Sequence, residues 1–78
     1  MIKQLCKEIE TALNHQIKTP KDFIFLRDNI YSRLHVLVSR TTLMRIWGYL
    51  SEDVTPRVGT LSILAEFLGY RNWEDYCR

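Results

Sequence analysis

Ser39-Arg40-Thr41-Thr42-Leu43-Met44-Arg45-Ile46-Trp47-Gly48 is the stretch on which the rest of the chain turns. Leu43, Ile46, Trp47 and Leu50 recur at i, i+3, i+4 and i+7, one apolar stripe on a helix that runs from Ser39 to about Leu50. Ser39 suits the N-cap, where its hydroxyl satisfies a backbone donor of the first turn that has no partner within the helix. With the stripe inward, Arg40, Thr41 and Arg45 face outward. Thr41 and Arg45 lie one turn apart and point the same way.

Working outward, the segment before this helix, His35-Val36-Leu37-Val38, reads as a turn. A helix precedes it, opened by Thr19-Pro20-Lys21-Asp22: Thr as cap, Pro in the first turn and an acid against the positive end of the dipole. Phe23, Leu26, Ile30 and Leu34 form its inner face. Residues 2–15 predict a first helix with Ile2, Leu5, Cys6, Ile9, Ala12 and Leu13 inward and Lys3, Lys7, Glu8 and Glu10 in water. Residues 16–19 break that pattern. Pro56 and Gly59 mark a loop over 51–59. Thr60 is the expected cap of a fourth helix with Leu61, Leu64, Ala65 and Leu68 inward, ended by Gly69. Asn72 then caps a short last helix that packs Trp73 and Tyr76 back on the core. No segment asks for a strand, so the predicted fold is all-α, a compact bundle of about five short helices.

The chain has 78 residues, 46% of them hydrophobic and 26% charged, with a net charge of +2. That is one small domain with a modest core, compatible with the N-terminal module of a longer chain. The distribution of charge says more than its sum. Acids gather at Glu8, Glu10, Glu52, Asp53, Glu66, Glu74 and Asp75, while none occurs from Asn29 to Ser51, which holds Arg33, Arg40 and Arg45. A short acid-free helix bearing arginines and hydroxyls suits a DNA major groove. An arginine can donate two hydrogen bonds to guanine, and Thr or Met can pack on a thymine methyl.

Other chemistries find little support. Cys6, His15, His35 and Cys77 show no paired metal-ligand spacing, and Ser39 near His35 lacks an orienting acid. Three glycines form no phosphate-cradling loop. No enzyme activity, metal or cofactor is expected. Two cysteines are too few for a secreted disulfide scaffold. The charged N-terminus is unlike a signal peptide, and no apolar run has membrane-spanning length, which makes the cytoplasm the expected location.

Ser39-x-x-Thr-Leu-x-Arg-Ile-x-Gly48, then Pro56-Arg57, then Thr60-Leu61-x-x-Leu-Ala-x-x-Leu-Gly69, resembles the λ-repressor-like, Xre-type helix-turn-helix domain. The motifs cover about half the chain and the helix count all of it. The resemblance implies one helix-turn-helix domain over 1–78 that binds double-stranded DNA within a bacterial transcriptional regulator. It makes the third helix the recognition helix, with Arg40, Thr41 and Arg45 at base edges and Thr42 and Met44 beside them. Arg57, Arg33 and Ser39 fall where phosphate is held. A homodimer or a larger parent chain is the expected context for so small an interface.

The sequence departs from that family in three places, the first being the helix opened by Pro20, which is extended at its apolar start and suggests an added contact surface. The other two are the turn ending at Ser39, longer than the usual tight turn and without a glycine, and Trp47-Gly48-Tyr49, which places aromatics where the family is polar. These features support an alternative: a protein-interaction or dimerisation module on the same scaffold, presenting Trp47, Tyr49 or Phe25 to a partner.

Overall fold

The computed structural model describes residues 2–49 and 56–78, and these hold five helices and no strand. They are α1 (Ile2–Leu13), α2 (Pro20–Leu34), α3 (Arg40–Ile46), α4 (Val58–Phe67) and α5 (Trp73–Cys77). α2 packs against both α3 and α4, while α4 also receives α1 and α5. At the centre, Leu5 and Ile9 of α1 meet Phe23, Leu26 and Ile30 of α2, Leu43 of α3, and Leu64 and Phe67 of α4. Each of these side chains is almost wholly removed from water, a gain of about 1.5–3 kcal/mol apiece.

Helix starts follow the local chemistry read in the sequence. Thr19 Oγ1 accepts from the amide of Asp22 at 3.3 Å, and Asp22 Oδ2 accepts from the amide of Thr19 at 2.8 Å. This reciprocal capping box, with Pro20 in the first turn, fixes the start of α2. Ser39 caps α3 by accepting from the amide of Thr42 at 3.1 Å, and Asn72 caps α5 by accepting from Asp75 at 2.8 Å.

Several boundaries differ from expectation. α3 stops at Ile46, because Gly48 takes φ +82° and its amide turns back to the carbonyl of Arg45 while that of Tyr49 reaches Met44. These paired bonds satisfy the last carbonyls of the helix and close it. The expected end at Leu50, like the loop residues 51–55, lies outside the described residues. α1 ends two residues early by the same pattern, with Asn14 at φ 52° in the left-handed place. α4 begins at Val58 with Arg57 as its N-cap, so Thr60 sits inside the first turn rather than before it. Gly69, at φ +101°, ends α4 as predicted.

Burial corrects the sequence in further places. Ala12 is exposed rather than inward. Ile17, inside the stretch where the helical pattern breaks, is fully buried, and Phe67 is buried more deeply than its neighbour Leu68. Glu8 and Glu10 are half-buried and bonded. Glu8 accepts from the Tyr76 hydroxyl, which docks α5 on α1, and Glu10 binds groups from two other segments. On α5, the Trp73 ring stacks on Tyr76 with centroids 5.6 Å apart, and the Trp73 amide donates to Ser62 Oγ of α4.

Candidate nucleic-acid interface

The segment from α2 to α3 is built around His35. It takes the left-handed conformation, φ 56°, that a glycine would otherwise fill, and its amide closes α2 on the carbonyl of Tyr31 at 2.8 Å. Val38 is buried and Val36 packs partly on the core, while Leu37 stays 72% exposed. The chain therefore enters α3 from a fixed point on the hydrophobic core, and Ser39 starts the helix there.

Of the five expected base-reading residues, Arg40, Thr41 and Arg45 are exposed and lie away from the buried Leu43 and Ile46. Thr42 and Met44 are half-buried. The hydroxyls of Thr42 and Ser39 bond each other at 2.8 Å, and Met44 packs against the core. The exposed groups are thus two arginines and one threonine on a helix of seven residues, about 10 Å long. No acid occupies the first turn of α3.

The three expected phosphate-holding residues are placed differently from one another. Ser39 spends its hydroxyl on the cap and on Thr42. Arg33 folds back on the body of the protein: Nη1 donates to the carbonyl of Phe67 at 2.7 Å, and the guanidinium lies 4.5 Å from the centre of the Phe67 ring. It joins α2 to the end of α4, where backbone carbonyls carry partial negative charge. Arg57 is exposed, and its side chain makes no capping bond as it leads into α4, whose first turn contains no acid.

Residues that hold α3 in place were less visible in the sequence. Trp47 Nε1 donates to Glu10 Oε2 at 3.1 Å, and the same oxygen accepts from the amide of Ile17 at 3.1 Å. Tyr49 donates its hydroxyl to the carbonyl of Ile17 at 3.2 Å. Both rings stand edge-on to Phe23, with centroids 6.1 Å and 5.5 Å away. A thiol contact, Cys6 Sγ to the carbonyl of Ile46 at 3.9 Å, adds a weak tie between α1 and the end of α3. Trp47 packs inward as its place in the apolar stripe predicts, and Tyr49, while still about half exposed, joins it in bracing the end of α3 against α1 and the α1–α2 connection. Helical spacing signalled the inward place of Trp47, but nothing in the sequence signalled its bond to Glu10 or that of Tyr49 to Ile17.

Both cysteines are free thiols, Cys6 buried and Cys77 exposed. Among the described residues, no three His, Cys, Asp or Glu side chains gather as a metal site would require. No helix among them is long and apolar enough to cross a membrane. The chain matches no family model, no curated protein and no solved structure.

Proposed function

We propose that this domain binds double-stranded DNA in a sequence-dependent manner, with α3 in the major groove, as part of a bacterial transcriptional regulator. The observation that carries the reading is the outer face of α3. Arg40, Thr41 and Arg45 are exposed on a short helix whose opposite face is locked into the core, in the acid-free part of the chain. A B-form major groove about 12 Å wide admits such a helix, and arginine pairs with guanine through two parallel hydrogen bonds. In this reading Arg40, Thr41 and Arg45 meet base edges, and Arg57 holds a phosphate beside the start of α4. Thr42 and Met44 shape the helix more than they read, and Arg33 serves stability before it serves phosphate. Phosphate contacts set the register while base contacts supply the preference.

The test is fluorescence anisotropy of a randomised duplex pool at low and at physiological salt, for the wild type and for Arg40→Ala/Arg45→Ala. Binding that weakens with salt and is lost in the double variant supports the proposal, provided the variant keeps its helical circular dichroism. A folded wild-type protein that leaves every duplex free even at low salt overturns it.

A second reading, a protein-interaction or dimerisation module, now rests partly on other residues. Trp47 is half-buried and hydrogen-bonded inward, whereas Tyr49 stays about half exposed despite its bond to Ile17, alongside Leu37 at 72%, Val58 at 62% and Tyr31, with Phe25 stacked on His15. Self-association that is lost on Leu37→Ser, in a protein that ignores DNA, would favour it.

A further inference from the structure

Of the residues expected at base edges, Thr41, Thr42 and Met44 carry a methyl group that could meet a base in the major groove. The fold withdraws two of them. Met44 is half-buried and packs against the core, and Thr42 is half-buried with its hydroxyl on that of Ser39 at 2.8 Å. Thr41 alone of the three is exposed. Given the role proposed for α3, on which this rests, we infer that Thr41 recognises the C5-methyl group of a pyrimidine beside the base that Arg45 contacts.

The place of Thr41 comes first. It lies four residues before Arg45, hence about 40° from it around the helix and about 6 Å along it. Both residues are exposed, on the side of α3 away from the buried Leu43 and Ile46. Base pairs stack every 3.4 Å or so, which puts the two contacts about two steps apart when α3 lies along the groove.

The chemistry of the side chain selects the methyl group. A threonine hydroxyl both donates and accepts and can turn to suit, so it bonds to any base edge and separates none. Its methyl group does discriminate, because only a pyrimidine methylated at C5 offers an apolar partner in the major groove. Branching at Cβ restricts the threonine rotamers in a helix, so little freedom is lost when the methyl group is covered. A short side chain also needs a backbone that comes close and stays fixed. Thr41 stands between Ser39, whose hydroxyl holds the amide of Thr42 at 3.1 Å, and the wholly buried Leu43. The first turn of α3 contains no acid to repel the phosphates on either side of the groove.

The experiment uses the whole chain and the duplex it selects from a randomised pool, followed by anisotropy. Each thymine of the selected site is replaced in turn by deoxyuridine, which deletes one methyl group and keeps every hydrogen-bonding group. One replacement should weaken wild-type binding about fourfold, the worth of burying one methyl group. Thr41→Ser should lose about the same factor on the thymine duplex and be indifferent to that replacement. Thr41→Val should keep the sensitivity. With a C·G pair at that position, 5-methylcytosine carries the same methyl group to the same place. A methyl effect at thymine alone names thymine as the base, and one at both admits methylated DNA as well. Thr41 is exposed, so both variants should melt with the wild type. No sensitive thymine in the site, or equal sensitivity in Thr41→Ser and wild type, overturns the assignment and leaves α3 as the reading helix. A wild type that binds no duplex at all takes α3 out of the groove, and Thr41 with it.

Discussion

Glu10 and Trp47, 37 positions apart in sequence, share a hydrogen bond of 3.1 Å that fixes the end of α3 to α1. Because the same carboxylate oxygen also holds the amide of Ile17, one side chain sets the relative position of α1, the α1–α2 connection and α3. Glu10→Ala should therefore cost roughly 1–3 kcal/mol, the range for leaving a partly buried donor without its partner. Glu10→Gln, which keeps a carbonyl acceptor, should cost less. Urea melts of the three proteins rank them, and an alanine variant as stable as wild type would refute this account of the joint.

The start of α2 should be sensitive to acid. Asp22 accepts from the amides of Thr19 and Lys18 and from His15 Nε2, and these bonds hold its carboxyl well below the usual range, the Thr19 amide contributing most and His15 next. Since the folded value lies below the unfolded value, near 3.9, the stabilisation is complete above about pH 4. It is lost as pH falls from there through the lower folded value. The gap in melting temperature between wild type and Asp22→Asn should be constant from pH 6 to about pH 5 and narrow as pH falls below 4. A gap that widens in acid would contradict the assignment.

Arg33 offers a test of stability against binding. It donates to the Phe67 carbonyl and covers the Phe67 ring, an arrangement that a lysine cannot copy with a planar group. Arg33→Ala should lower stability by roughly 1–2 kcal/mol, combining a charge-assisted hydrogen bond with an exposed cation–π contact. Arg33→Lys should recover only part of it. DNA affinity measured well below the melting temperature should change far less than in Arg57→Ala. The reverse order would return Arg33 to the phosphate contacts expected from the sequence.

The two thiols should react very differently. Burial pushes Cys6 up to about 12, with the nearby Glu10 carboxylate adding to the shift, so its reactive thiolate is scarce at neutral pH. Cys77 is exposed near the chain end. Brief treatment with a maleimide at pH 7 should add one label, located at Cys77 by peptide mass spectrometry, and denaturant should admit the second. Rapid double labelling of the native protein would show that the α1–α3 contact opens readily.

The parts of this fold legible in the sequence are those whose cause is local. Thr19, Ser39 and Asn72 cap helices because a hydroxyl or amide reaches an amide three residues on, and Gly69 ends α4 because its backbone turns left-handed. What escaped depends on partners far along the chain. Glu10 and Glu8 look like ordinary surface acids until Trp47 and Tyr76 arrive beside them. Ile17 falls in a stretch with no period, so no pattern could place it inside. Arg33 reads as a surface cation because nothing near it announces the Phe67 carbonyl, 34 positions away. The candidate reading face shows the same division. Arg40, Thr41 and Arg45 follow from helical spacing, whereas the bond of Trp47 to Glu10 that braces their helix enters only once α1 is seen against the end of α3.

Ile17 bears on where this chain can be opened. The connection between α1 and α2 has the composition of a surface loop, with Gln16 and Lys18 exposed on either side of it. Yet its side chain is wholly buried, its amide is held by Glu10 and its carbonyl by Tyr49. A protease must draw a stretch of extended chain into its cleft, which here means pulling a core side chain out and breaking both bonds at once. Despite its lysine, this loop is a poor place to cut, and an equally poor place to graft an inserted peptide or to join new termini.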